Sequence, residues 1–372
     1  MCGMNAPPDE VKRSVLVALS GGVDSSVAAS LLLEAGHTVV SATLKTFCYN
    51  DVQGGPKSCC GLEGITTARA VAGSLGIQHF VFDVSDRFQS EVIDDFVGEY
   101  AAGRTPNPCV RCNATVKIPD LLDRAKRLGC DSIATGHYAR LAQTPDGIGL
   151  FRARDRAKDQ AYFLWEVPFT ILNNLYFPLG DLTKTEVREL ARQRGLISAE
   201  KPESQEICFV PDGDYMGFVR RRLPPDHPAR ISGPILDTAG RALGTHDGFL
   251  EFTVGQRKGL GGGHGRKLYV TSIDPIRRAV IAGELGDLDA TSLVIDRVNS
   301  LAQTPGPDTP VTVMIRHRAR PIPGFVRETT SAGTWRLELG EPARAVTPGQ
   351  SAVIFSPEPE NRVLAGGRII GR

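Results

Sequence analysis

The chain has 372 residues, 41% of them hydrophobic and 23% charged, with 43 Lys and Arg against 42 Asp and Glu for a formal net charge of +1. That length accommodates two or three domains with cores of their own, and the composition is ordinary for a soluble globular enzyme. No apolar run approaches the roughly 18 residues of a membrane span, and residues 1–13 contain no apolar signal core, so a cytoplasmic protein is expected.

Taken in chain order, the first half alternates strand and helix patterns. An apolar, β-branched run from Val15 to Leu19 predicts a strand, and it ends in Ser20-Gly21-Gly22-Val23-Asp24-Ser25-Ser26, after which Ser25 to Ala35 has helical apolar spacing. Thr38 to Thr43 predicts a second strand, Thr66 to Leu75 a helix, His79 to Val84 a third strand, Asp86 to Tyr100 and Pro119 to Leu128 helices, and Ser132 to Thr135 a fourth strand. Thr183 to Arg194 predicts a capped amphipathic helix closed by Gly195. Such alternation means a parallel sheet covered on both faces, with ligand at the carboxyl ends of the strands. The loops after the first, second and fourth strands (Ser20 to Asp24, the region from Leu44, and Gly136-His137) are expected on one rim.

After about Asp214 helical periodicity fades, and an Arg- and Pro-rich stretch from Arg220 to Pro228 leads into Gly-punctuated segments around Gly255 to Gly263. Beyond about Gly286, Val311 to Ile315, Thr334 to Leu339, Ser351 to Phe355 and Arg362 to Gly366 alternate between Pro and Gly breaks, the pattern of a small antiparallel β-barrel. The expected division is 1–214, 215–285 and 286–372, without internal repeats. Basic clusters at Arg220-Arg221-Arg222, Arg257-Lys258 with Arg266-Lys267, and Arg316-His317-Arg318 with Arg320 are candidate phosphate contacts as much as ordinary solvated surface.

The strand–loop–helix at residues 14–35 carries the clearest chemistry. Two glycines let the backbone approach an anion, the helix start points free N–H groups at it, and Ser20, Ser25 and Ser26 can add hydroxyls. The loop has neither the Gly-Lys-Ser/Thr of a P-loop nor G-x-G-x-x-G. It suits ATP cleaved between its α and β phosphates, with AMP passed to an acceptor. The motif resembles that of the ATP-pyrophosphatase (PP-loop) superfamily, and alone it does not name the acceptor.

Eight cysteines (2, 48, 59, 60, 109, 112, 130 and 208) in a reducing compartment suggest metal or redox chemistry more than structural disulfides. Thr105-Pro106-Asn107-Pro108-Cys109-Val110-Arg111-Cys112-Asn113 presents two of them on a loop stiffened by prolines either side of Asn107. A C-x-x-C leaves open half a zinc site, a redox pair, two iron–sulfur ligands, or a nucleophile with a neighbour. Cys208, in Ile207-Cys208-Phe209-Val210, is the candidate partner. Zinc fits poorly because Cys59 and Cys60 are adjacent; those two and Cys48 belong to a Gly-rich loop, and Cys2 and Cys130 read as bystanders.

Several segments together extend the resemblance along almost the whole chain. They are Ser20 to Ser25, Thr105 to Lys117, Ala134 to Arg140, Lys158 to Leu164, Ser204 to Tyr215 and Phe252 to Leu260, and in this order they resemble the bacterial tRNA-specific 2-thiouridylase (MnmA) family. The resemblance implies an α/β PP-loop parallel-sheet domain, a small central domain and a C-terminal antiparallel β-barrel. It implies a tRNA-uridine 2-sulfurtransferase that uses ATP with Mg²⁺ to adenylate O2 of the wobble uridine (position 34) and then replaces it with sulfur, releasing AMP and pyrophosphate. ATP would be held by Ala18, Leu19, Ser20, Gly21, Gly22, Val23, Asp24, Ser25, Leu44 and Gly136.

Position by position, Cys112 matches the family's catalytic cysteine and Cys208 the cysteine that receives persulfide sulfur, and the two would close a transient disulfide. Sulfur would reach C2 directly from that persulfide or after Cys112 reduces it. Asn107, Pro108 and Cys109 match the segment that holds the target base. Lys158, Asp159, Gln160, His137 and Gln350 match tRNA contacts, and Arg316-His317 fall where the family has a basic–aromatic pair. The implied partners are tRNA and a persulfide donor or relay protein; neither a membrane nor DNA has a place in the scheme.

Three departures stand out: Cys109 replaces a common Asp, Leu44 a common Met beside the adenine, and the family's Trp-and-Asp segment is not recognisable in Lys45 to Asp51. The first opens an alternative, a [4Fe–4S] cluster held by Cys109, Cys112 and Cys208. A non-catalytic tRNA-binding protein would not need the Ser20–Ser25 loop, and an amidating PP-loop ligase would need no cysteines opposite it.

Overall fold

The computed structural model describes residues 12–47, 62–202, 207–261, 266–330 and 333–372. Val15, Leu16 and Val17 are fully buried in β1 (Ser14–Ala18), as a continuous apolar run on a central parallel strand requires. β1 pairs in parallel with β2 (Thr38–Lys45) on one side and β4 (Ser132–Ala134) on the other. β3 (His79–Asp83) extends the sheet beyond β2, and the short β7 (Leu175–Tyr176) extends it beyond β4. The strand order β3-β2-β1-β4-β7 places β1 where the winding changes direction, so the loops after β1, β2 and β4 meet at one rim. Helix α1 (Val23–Glu34) follows β1, and α2 (Leu62–Ser74) follows β2.

The helix expected over 86–100 is interrupted: α-helical Ser85–Phe88 and Asp94–Ala101 flank a π-helical turn, Gln89–Ile93. An antiparallel hairpin, β5 (Ala139–Thr144) with β6 (Gly147–Arg152), stands off the main sheet; the sequence pattern did not predict it.

A four-stranded sheet follows, in the order β10-β11-β8-β9, formed by β8 (Gly233–Asp237), β9 (Ala242–His246), β10 (Tyr269–Asp274) and β11 (Ala279–Gly283). It closes over Phe249, Leu250 and Phe252 in a small core of its own.

The last unit is a closed six-stranded barrel. It comprises β12 (Asp289–Ser300), β13 (Val311–Met314), β14 (Ile322–Thr329), β15 (Trp335–Arg344), β16 (Ser351–Phe355) and β17 (Val363–Gly371). β12 and β14 were absent from the sequence-based elements. Leu293, Ile295, Leu337 and Ile369 fill the lumen. The outer wall does not face water all round. Leu301, Met314, Val353, Phe355 and Val363 are buried in the same apolar cluster as Leu16, Val116, Ile133 and Tyr162 of the α/β domain. Barrel and parallel sheet therefore share a core.

Candidate active site

At the end of β1 the backbone turns through Gly21, whose φ of +76° is in the region that favours glycine. A Cβ there would lie 2.5 Å from Gly64 O on α2, so the loop is pressed onto that helix. Gly22 is the N-cap of α1 and no side chain caps it, which leaves the first N–H groups of the helix for an incoming anion. The hydroxyls mainly brace the loop. Ser25 Oγ accepts from Ser20 N–H (3.2 Å) and donates to Gly22 O (3.1 Å), and buried Ser26 donates to the same carbonyl (2.9 Å). Val23 and Leu44 are buried among apolar side chains, so at Val23 it is the backbone that faces an anion.

Asp24 is held from two directions. Lys184 Nζ, on a side chain only 10% exposed, donates to both carboxylate oxygens (2.7 and 2.8 Å), and Tyr138 O–H donates to Oδ1 (2.8 Å). Lys184 is the first residue of the helix Lys184–Gln193, fixed by a capping box between Thr183 and Glu186. Sequence reasoning missed Lys184 and Tyr138 as site residues. The capping box marked where the helix begins, but nothing in local spacing says that its first ammonium meets a loop 160 residues earlier. Gly136 lies against the same loop, since a Cβ there would sit 2.8 Å from Ser25 N. Half-buried His137 pairs its Nδ1 with Thr135 Oγ1 (2.7 Å). Burial, and then the nearby Lys117 charge, lower its pKa to about 3, so the ring is neutral at ordinary pH.

The second loop supplies the thiols. Pro106 and Pro108 flank Asn107, which is the N-cap of a short helix, Pro108–Arg111. At Cys112 the helix widens into a π-helical turn, Cys112–Lys117, before Ile118–Arg127 continues as α-helix. π-turns disturb regular backbone bonding and recur at functional positions. Cys109 is exposed, while Cys112 is 9% exposed and borders the shared core. Asn113 donates to Phe163 O (3.1 Å), and Arg111 bridges Glu166 (2.6 Å) and Glu91 (3.2 Å), which fixes the turn on both sides.

Half-buried Cys208 packs against that same core, its segment anchored by Phe209, whose ring meets Phe88 and Phe96 edge-on. Residues 203–206 lie outside the described residues, as do Cys2, Cys48, Cys59, Cys60 and the segment from Cys48 to Asp51.

The remaining expected tRNA contacts differ in what their side chains do. Asp159 is almost fully buried and inward-facing, paired with Arg152 (2.6 Å) and accepting from Ala153 and Ala161 N–H. Gln160 accepts from Tyr138 N–H (3.0 Å) and Lys158 lies at the hairpin's exit. His317 pairs Nε2 with Asp159 O (3.2 Å) and packs on Phe163, with burial holding its pKa below the usual imidazole value. Exposed Arg316 donates to Arg344 O (3.4 Å). Gln350 turns its amide onto the carbonyls of Thr105 (2.8 Å) and Pro106 (3.4 Å). A shallow crevice, with room for little more than a water molecule, is lined by Asn107, Arg111 and Trp165 and by Gly349 and Arg368 of the barrel.

Among the described residues no three His, Cys, Asp or Glu side chains gather as a metal-holding group. Cys109, Cys112 and Cys208 are among the described residues, and the iron–sulfur alternative is not favoured. Asp24, the carboxylate on the anion loop, is engaged by Lys184. No described helix is long and apolar enough to cross a membrane.

Three family models match the chain in succession: a tRNA methyl transferase HUP domain at residues 13–212, a tRNA methyl transferase PRC-barrel domain at 218–284, and an aminomethyltransferase beta-barrel domain at 290–370. The tRNA-specific 2-thiouridylase MnmA of Chloroflexus aurantiacus is 47% identical over 359 residues, covering 96% of this chain and 98% of the relative. That of Acidothermus cellulolyticus is 44% identical over 95% of this chain and 97% of its own length. That of Rhodospirillum rubrum is 44% identical over 97% of each. A solved 4-thiouridine synthetase–RNA complex with bound ATP is similar over 57% of this chain and 51% of its own at 16% identity and a TM-score of 0.35, too slight a likeness to argue from.

Proposed function

The chain belongs to the tRNA-specific 2-thiouridylase family, and from that premise we propose how its own residues divide the work of ATP-dependent 2-thiolation of the wobble uridine. The observation that supports the assignment is the joint presence of an uncapped anion loop and a largely buried thiol on a proline-stiffened turn. A methyl transferase has no use for that loop, since methyl transfer cleaves no pyrophosphate.

Uridine O2 is a poor leaving group until it carries AMP. The N–H groups at the start of α1 hold the phosphates of ATP, and Lys184 keeps Asp24 aimed at that end of the loop. Mg²⁺ bound with the phosphates would supply neutralisation of their charge at this end of the loop. O2 attacks the α-phosphate and pyrophosphate departs. The wobble base must leave the anticodon stack to reach this rim, and Asn107, Pro108 and Cys109 receive it. The terminal sulfur of a persulfide on Cys208 attacks C2 and AMP leaves. Cys112 thiolate attacks Sγ of Cys208, the S–S bond breaks with its electron pair retained by the transferred sulfur, and a Cys112–Cys208 disulfide remains for a cellular reductant to open. The persulfide comes from a donor or relay protein.

The test is tRNA-dependent pyrophosphate release coupled to thiolation, read by retardation of product tRNA on a mercury-containing gel. Pyrophosphate release is expected when ATP and tRNA are present together, and thiolation only when a persulfide source is added. Pyrophosphate release indifferent to tRNA would remove the assignment.

A further inference from the structure

One short stretch of the barrel, Pro348–Ser351, reaches both the loop expected to hold the target base and the 158–164 segment expected to touch tRNA. Thr105 N–H donates to Pro348 O (2.9 Å), and Gln350 Nε2 donates to Thr105 O (2.8 Å) and Pro106 O (3.4 Å). Between them Gly349 has φ +90°, and a Cβ there would lie 2.8 Å from Thr105 N and 2.9 Å from Arg104 Cβ. The next residue, Ser351, accepts at its carbonyl from the hydroxyl of fully buried Tyr162 (2.9 Å), inside the Lys158–Leu164 segment. The stretch is itself pinned to the last strand: Gly349 N–H donates to Ile369 O and Ile369 N–H to Gln350 O, both at 2.8 Å.

The loop needs such an anchor. Pro106 and Pro108 have no N–H, so Asn107 sits in a segment that cannot form a backbone ladder of its own. The bonds from Gln350 fall on the two carbonyls immediately before Asn107. A stretch that merely glued two domains together would have no reason to seat a side-chain amide there.

We propose that Pro348–Ser351 is a positioning element for catalysis. It sets the place of Asn107, and through it of the target base, relative to Cys112 and the 158–164 segment, with Gln350 acting through the loop. This rests on the thiolation reading above and deepens it. A misplacement of about 1 Å at a reacting centre can cost about 100-fold in rate.

Gln350→Met keeps the length of the side chain and removes its donor. In the full chain it is expected to lower the thiolation rate at saturating tRNA at least tenfold and to speed deuterium uptake at the Thr105 and Asn107 amides. Tyr162→Phe deletes one hydroxyl without changing shape and is expected to lower the same rate, which keeps the test open if Gln350→Met folds poorly. A tenfold weaker Kd with the saturating rate intact would make Gln350 a tRNA contact and overturn the proposal. Unchanged deuterium uptake would also overturn it. Because that uptake needs no activity, a wild-type protein that failed to thiolate would count against the functional reading and leave the positioning measurement standing.

Discussion

Asp24 is neutralised by a lysine that local sequence could not connect to it, and the pair sets what each substitution should do. Lys184→Met leaves a carboxylate aimed at the phosphate site with Tyr138 as its other donor. We expect it, like Asp24→Ala and Ser25→Ala, to slow tRNA-dependent pyrophosphate release at least tenfold, about 1.4 kcal/mol of transition-state stabilisation. Wild-type release in Lys184→Met would reduce the pair to a structural ion bridge. The thiols separate differently. Cys112→Ser and Cys208→Ser should each abolish thiolation and still bind ATP and tRNA, whereas Cys109→Ser and Cys109→Asp should keep substantial activity, since on the proposed mechanism exposed Cys109 takes no chemical step. Loss of all activity in Cys109→Ser would give that thiol a chemical step. His137 adds a pH effect with a defined sign. Its folded pKa of about 3 lies below the ordinary 6.5, so below pH 6.5 the unfolded chain binds a proton that the folded one refuses. Its contribution is complete above that pH and declines as pH falls toward 3. The measurement is the urea midpoint of wild type against His137→Asn across this range, and parallel pH profiles would refute it.

Secondary-structure elements were legible where one residue pattern dominated. β1, α1 and the Thr183-capped helix follow from apolar period and capping chemistry, and the structure places them at Ser14–Ala18, Val23–Glu34 and Lys184–Gln193. The π-turns at Gln89–Ile93 and Cys112–Lys117 were not legible, because one extra residue per turn barely shifts apolar spacing. Nor was the hairpin of β5 and β6: its alternation is short, and its stability rests on partners distant in sequence. Arg152 pairs with Asp159, and Arg362 of the barrel with Asp146 at the hairpin turn. Of the site, the anion loop and the Pro-Asn-Pro turn were legible as motifs, while the inward roles of Asp159 and Gln350 depend on the fold. Removing one partner of a buried ion pair strands the other charge. Asp159→Ala should therefore destabilise the chain by about 3 kcal/mol, visible as a lowered denaturation midpoint, and a shift under about 1 kcal/mol would show that Arg152 finds water instead.

At the scale of the whole molecule, net charge conceals local fields. The arginines of Tyr215–Arg222 are already engaged, Arg220 with Glu251, Arg221 with Asp214 at 3.8 Å, and Arg222 over the Phe218 ring at 3.6 Å. Arg316, by contrast, makes one long bond to a carbonyl. We therefore expect Arg316→Ala with Arg318→Ala to flatten the salt dependence of tRNA binding by about one counterion for each phosphate no longer neutralised, and substitution of Arg220 to do so less. Equal slopes in titrations from low to moderate salt would return both patches to ordinary surface.

The core shared between sheet and barrel also bears on the life of the chain as it is made. Synthesis delivers the anion loop long before Phe355, yet Phe355 and Leu16 belong to one apolar cluster. Contacts of such long sequence separation close late. Until the final strands leave the ribosome, the sheet retains an uncovered apolar flank and the Asn107 loop lacks its hold from Gln350. A nascent protein can thus possess every residue of the proposed ATP site without the proposed seat for the uridine. Premature termination within the last strands would yield a chain that chaperones and proteases recognise by its exposed flank, before it could adenylate a tRNA that it has no means to finish.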